Sequence, residues 1–164
     1  MDNILEFGIK RENEERRDGG GAVIFDPLTK KYGVYKNIDN GYLGLFGGGV
    51  NPDENIKDGV IREIVEESGL HDFLYIEELG TALAHYYHSR KKLNRVTRAT
   101  FFLMIVKSKN LVETKHEDHE NFILDWVDYD ELILDLSYRN EEKNHDHWIY
   151  FLEQSKEKIK DLKY

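Results

Sequence analysis

The segment from Gly48 to Leu70 constrains this chain most, because its residues ask for a helix that is apolar on one face and acidic along one edge. The pattern predicts a helix that begins near Asp53, with Pro52 close to its first turn, and stops at Gly69. At about 100° per residue, with Ile56 at zero, Ile56, Val60, Ile64, Ile61 and Val65 fall near 0°, 40°, 80°, 140° and 180°. That apolar face should pack on a sheet. Glu66, Glu63 and Glu67 fall at about 280°, 340° and 20° on the same wheel, so three acids share one edge. Glu63 neighbours Glu66 and Glu67 at the i+3 and i+4 spacings, and each like-charge pair costs roughly 0.2–0.5 kcal/mol. Glu66 and Glu67 also lie in the last turn, at the negative end of the helix dipole. Arg62 can pair with Glu66 but cannot neutralise three carboxylates. Gly59, mid-helix on the acidic side, either bares the backbone to a bulky ligand or packs tightly on a neighbouring loop.

The rest of the chain bounds what such a helix can serve. With 164 residues and 19.4 kDa the chain is one ordinary domain. Its longest apolar run, Phe101 to Val106, is too short for a membrane span, and no signal peptide opens it. It has no Cys, hence no disulfide, no thiolate metal site and no cysteine nucleophile. A cytoplasmic protein, monomeric or homodimeric, is the expectation. The net charge of −9 makes nucleic acid an unlikely partner but leaves room for small phosphorylated ligands, provided a metal ion stands between carboxylates and phosphates.

Residues 1–18 are densely charged and read as an arm, an edge strand or a short helix, set apart from a single domain over 19–164. Ala22 to Phe25 and Tyr32 to Lys36, joined by the turn Asp26-Pro27-Leu28-Thr29-Lys30, read as a hairpin. Leu79 to His88 and Thr97 to Lys107 read as strands flanking a basic stretch, Ser89 to Arg98. Lys109 to Asn121 is an acidic, His-containing loop, followed by a strand at Ile123 to Val127 and a helix through Leu136 capped by Asp128 or Asp130. Trp148, Phe151, Leu152, Ile159 and Leu162 give a terminal helix its packing face. Strands mixed with few helices, without a repeated βα unit, indicate an α+β or mixed α/β sandwich.

Gly48, five residues, Glu54, seven residues, and then Arg62-Glu63-Ile64-Val65-Glu66-Glu67-Ser68-Gly69-Leu70 resembles the Nudix box at every fixed position. Two flanking departures, Phe46 where many members have Pro and Asp53 where Gly is frequent, bear on loop shape and remove no metal-binding oxygen. The resemblance implies an α/β/α sandwich with a mixed β-sheet. It also implies Mg²⁺- or Mn²⁺-dependent hydrolysis of a pyrophosphate bond in a small nucleotide substrate: a (d)NTP, a dinucleoside polyphosphate or a nucleotide sugar. On that resemblance Glu66 and Glu67 are the main metal ligands, Glu63 a further ligand or the base, and the Gly48 carbonyl part of the metal shell. Arg62 orients the glutamates and Glu54 supports the loop. Removal of pyrophosphate from RNA 5′ ends and a non-catalytic nucleotide-sensing module are the alternatives.

A further ligand or base from outside the box is sought in residues 115–120: Glu120 first, then Glu117, with His119 as a possible base; a zinc site at His116 and His119 competes with this reading. Tyr86 and Tyr87 resemble the pattern in diadenosine polyphosphate hydrolases, while no Pro follows the box as in usual ADP-ribose hydrolases. Arg90, Lys91, Lys92, Arg95 and Arg98 could meet outer phosphates or form a solvated loop. Phe46, Tyr42 and Tyr35 could stack on a base or simply pack. His145 and His147, two apart, do not share a helix face and are assigned no metal.

Overall fold

A computed structural model describes residues 4–163; Tyr164 and the first three residues of the charged segment lie outside the described residues. Eight strands are present among them: β1 (Leu5–Gly8), β2 (Glu15–Asp26), β3 (Lys31–Asn37), β4 (Leu43–Gly44), β5 (Gly47–Gly49), β6 (Phe73–His88), β7 (Leu93–Val106) and β8 (Phe122–Val127). Three α-helices accompany them: α1 (Ile56–Ser68), α2 (Tyr129–Tyr138) and α3 (Asp146–Asp161). The sheet runs β1-β6-β7-β2-β3-β4, with β5 also on β2 and β8 also on β3. The pairs β1–β6 and β2–β7 are parallel and the others antiparallel, so the sheet is mixed.

Alternation along the central strands sends side chains to opposite faces. Val23 and Phe25 of β2 and Phe101, Leu103 and Ile105 of β7 pack with Leu132 and Leu136 of α2 and Phe151 and Leu152 of α3. Their neighbours Ala22, Ile24, Phe102, Met104 and Val106 pack with Val60 and Ile64 of α1. Both strands are apolar on two faces because helices cover both, and the result is the expected α/β/α sandwich.

Several boundaries differ from the sequence reading. α1 starts at Ile56 rather than near Asp53, because Asn55 takes the N-cap and its side chain accepts the Asp58 N–H. β6 begins at Phe73 and β7 at Leu93, so the hairpin tip between them shrinks to residues 89–92 and Arg95 and Arg98 become strand residues. Continuous pairing down to His88 opposite Leu93 overrides the weak strand propensity of that polar stretch. In the charged N-terminal segment, residues 5–8 form β1, an edge strand on β6, and residues 15–18 open β2. Asp128 occupies the N-cap position of α2 without a side-chain cap bond. No helix among the described residues is long and apolar enough to cross a membrane.

Gly69 ends α1 in the left-handed region at φ 80°, with its N–H on the Val65 carbonyl. A Cβ at Gly69 would also sit 2.6 Å from the Val112 carbonyl oxygen of the loop packed on it. Gly69→Ala is therefore expected to destabilise the protein by at least about 1–2 kcal/mol, read as a lower urea midpoint with an unchanged slope.

Candidate functional site

The acidic edge of α1 faces a strand made of three glycines. β5 is hydrogen-bonded to residues 19–21 of β2, and it lies so close to α1 that a Cβ on Gly48 would come 2.5 Å from Glu63 Oε2. Gly59 serves the packing role, since a Cβ there would meet Val50 at 2.8 Å and Glu54 Oε1 at 2.9 Å. Arg62 lies along the outer side of this edge. Its Nε and Nη2 hold the two oxygens of Glu54 at 2.7 and 2.9 Å, a fork on a carboxylate. Its Nη1 reaches Glu63 Oε1 at 3.0 Å and Glu66 Oε2 at 3.2 Å. The guanidinium holds the Glu54 carboxyl down at about 2, and its own proton is held more tightly by the surrounding carboxylates.

Glu67 is on the inner side. Burial pushes its carboxyl up to about 9, and the facing carboxylates of Glu120 and Glu63 add to the shift, while the Gly47 N–H opposes it. Glu63 is pushed up as well, mainly by burial, against the pull of Arg62. Three carboxylates thus meet at the floor of a cavity with Arg62 as the cation bonded to one of them.

Glu120 arrives there through backbone bonding. The last turn of a helix leaves carbonyls without intrahelical partners. Residues of the 109–121 loop supply the donors: Lys115 N–H bonds the Glu66 carbonyl at 2.7 Å and Val112 N–H bonds the Gly69 carbonyl at 2.9 Å. His116 Nε2–H bonds the Glu67 carbonyl at 2.7 Å, and its ring packs on Phe122 with centroids 4.6 Å apart. His116 is thus committed to the backbone of α1. The carboxylates of Glu117 and Glu120 and the ring of His119 lie together beside it, with ligand atoms within 4.8 Å of one another.

The cavity, about 840 Å³, extends from these acids along the sheet. Its walls include the expected Gly48, Glu63, Glu67, Glu120, Phe46, Tyr86 and Tyr87, together with Tyr35. Glu66, Arg62 and Arg98 are not on its walls: Glu66 is bound to Arg62, and Arg98 points to the other side of β7. Tyr42 lies elsewhere, under the Arg139 guanidinium at 4.1 Å. One end is uncharged and aromatic, formed by Trp148, His145 and His147 at the start of α3. The rings of His145 and Trp148 stack at 5.1 Å and 11°, and His145 Nδ1–H bonds the Leu136 carbonyl at 3.1 Å. Burial pushes both imidazoles down, His147 to about 3. The opposite end carries Arg17, His88, Arg90, Lys91 and Arg95.

Arg17, His88, His145 and Trp148 were not singled out as site residues from the sequence. Arg17 could have been found by alternation, because it shares a strand face with Gly19 and Gly21 two and four residues on. Nothing local marks the start of α3, which reaches the cavity only through packing on the sheet.

The donor set suits a hard divalent cation. Glu63, Glu67 and Glu120 offer carboxylate oxygens, Gly48 a carbonyl, and their mutual repulsion is what such an ion relieves. The family model for the NUDIX domain matches residues 17–151. Nudix hydrolase 6 of Arabidopsis thaliana is 28% identical over 126 residues, 74% of this chain; those residues span 42% of that curated relative's length. The NUDIX domain of Shewanella oneidensis NrtR, crystallised with ADP ribose, superposes with a TM-score of 0.59 at 19% identity, covering 89% of this chain and 90% of that one. A C. elegans Ap4A hydrolase binary complex superposes with a TM-score of 0.59 at 15% identity, covering 89% and 99%. By the match to its domain model over most of its length, this chain belongs to the Nudix family.

Proposed function

We propose that this protein is a Nudix pyrophosphohydrolase that uses Mg²⁺ or Mn²⁺ to hydrolyse a pyrophosphate bond in a small nucleoside diphosphate derivative. The observation that carries this reading is the meeting of Glu63, Glu67 and Glu120 against the backbone of β5 at the floor of the cavity. Glu67, Glu63, Glu120 and the Gly48 carbonyl would hold the cation, with Glu66 within reach of the same edge. When bound, the cation would supply charge neutralisation for the diphosphate and acidify water.

The chain's own groups do the rest. Arg62, tied to Glu54, holds the Glu63 carboxylate against β5 and keeps Glu66 on the outer side. The loop of residues 109–121, bonded to the last turn of α1, delivers Glu120 to Glu67. A carboxylate of this group takes the proton as water adds to phosphorus and the bridging P–O bond breaks. Little covalent chemistry is asked of the protein, since such transfers depend on positioning and charge. The stacked His145 and Trp148 rings suit the flat face of a nucleobase. The ADP ribose bound to one protein of the same fold, and the Ap4A in the name of a hydrolase of that fold, support a nucleotide with an internal pyrophosphate. The unbroken set of box glutamates favours an enzyme over a silent sensing module, and the net charge of −9 favours a small molecule over RNA.

Glu67→Gln is expected to lower turnover at least about 100-fold, beyond the 10–100-fold typical of residues that only support a metal ligand, with the thermal melt retained. Products separated by chromatography over a nucleotide panel with Mg²⁺ and Mn²⁺ check this, and near-normal turnover would refute the assignment. Arg62→Lys keeps the charge but loses the fork on Glu54, so stability in urea is expected to fall by about 1–2 kcal/mol, with Arg62→Ala lower still. The protein has two tryptophans, Trp126 and Trp148. Adenosine monophosphate is expected to quench their fluorescence in Trp126→Phe but not in Trp148→Phe.

A further inference from the structure

The acids that would hold the cation line only part of the cavity. Beyond them, at the end away from Trp148, the walls turn basic: Arg17 from β2, His88 from β6, Arg90 and Lys91 from the hairpin tip, and Arg95 from β7. In a protein of net charge −9, Arg17, Arg90, Lys91 and Arg95 are a concentrated group of cations lining one space, with the neutral His88 ring among them.

The group joins three exposed cations, Arg17, Arg90 and Lys91, to one buried member. Arg95 is only 2% exposed, a rare state for an arginine, and its Nε and Nη2 both bond Glu15 Oε1, at 3.1 and 2.7 Å. Glu15 is the one acid paired with the group; Arg17, Arg90 and Lys91 form no ion pair among the described residues. His88 accepts the Lys91 N–H on Nδ1 at 3.1 Å, which leaves Nε2 as its hydrogen-bond donor. Arg17 lies across Gly49, where a Cβ would collide with its guanidinium, and Gly48 beside it touches Glu63. Arg17 and Glu63 thus lie against adjacent residues of β5, on its opposite faces, and both line the same cavity.

We infer that the basic end binds a further phosphate beyond the diphosphate held at the acidic floor, so that the preferred substrate carries a linear chain of three or more phosphates. A nucleoside triphosphate or a dinucleoside polyphosphate meets this requirement. A nucleotide sugar or ADP ribose does not, because its next group is an uncharged sugar with no carboxylate or carbonyl cluster to receive it. This rests on the pyrophosphohydrolase reading for the placement of the diphosphate, but the anion site itself stands on the cations alone.

Calorimetric titration of inorganic tripolyphosphate, with EDTA present so that no divalent cation takes part, tests the anion site without turnover. Saturable binding is expected, weakened at least about tenfold in Arg17→Gln/Lys91→Gln and unchanged in Arg98→Gln, whose charge lies outside the cavity. No saturable binding, equal binding by the double variant, or equal weakening by Arg98→Gln would overturn the inference. In the kinetic arm, the KM ratio of diadenosine tetraphosphate to ADP ribose is expected to rise about tenfold in the double variant; an unchanged ratio counts against the inference. If the wild type hydrolyses no member of the nucleotide panel, nucleoside triphosphates included, the pyrophosphohydrolase reading fails, and the calorimetric arm still decides whether the anion site exists.

Discussion

How near α1 can come to the sheet decides everything at this site. A strand of three glycines leaves no side chain between the helix and β5, so the Glu63 carboxylate rests on the Gly48 backbone. A shift of α1 away from the sheet would lift the Glu63 carboxylate off β5. Arg62 opposes that shift by joining Glu54, before the helix, to Glu63 and Glu66 upon it. The loop opposes it from the other end by using the free carbonyls of the last turn. Both restraints are backbone or charge-assisted bonds with directional geometry, which apolar packing alone does not supply.

The cost of this arrangement is electrostatic. Carboxylates that would repel each other mildly on an exposed helix are placed where burial raises the penalty and, with the facing Glu120 and Glu63, pushes the Glu67 carboxyl up to about 9. A fold that merely needed a soluble helix edge would turn these groups outward, as it does with the hydrophilic side chains of α3. Here the repulsion is kept, the backbone is cleared to receive it, and the nearest guanidinium is bound chiefly to Glu54 rather than spread over the buried pair.

Much of α1 was legible in the sequence because helical geometry is local. The wheel already sets Arg62 and Glu66 together on one side of the acidic edge and Glu63 and Glu67 together on the other. The structure sends the first two outward and the second two to the cavity. Gly69 could be read as a stop because its conformation is an intrinsic property of glycine. The hairpin tip could not be bounded, because strand length there depends on pairing with a partner rather than on the propensity of Asn94 or Arg95. Glu120 could be nominated but not placed, since its position follows from which carbonyls of α1 remain unbonded. Trp148 reads as packing from its helical spacing and does pack, yet it also walls the cavity; periodicity reports that a residue is covered and says nothing of what covers it.

The same limit explains why the basic residues of β7 look alike in the sequence and act differently in space. Arg95 and Arg98 are three apart, so an extended strand must send them to opposite faces, whereas a helix would have set them side by side. Once β7 is known to run from Leu93, Arg95 joins Thr97, Ala99 and Phe101 on the cavity face, and Arg98 is left to solvent. Parallel pairing then sets Glu15 opposite Arg95 and Arg17 opposite Thr97, which brings the second cation to the same face from a segment far earlier in the chain. Strands held on both sides by the sheet keep these charges at fixed spacing from the glycine strand and from the acids above it. The acids of α1 and the cations of β2 and β7 thus reach one cavity from different elements, so a chain of phosphates meets the first through a divalent cation and the second directly.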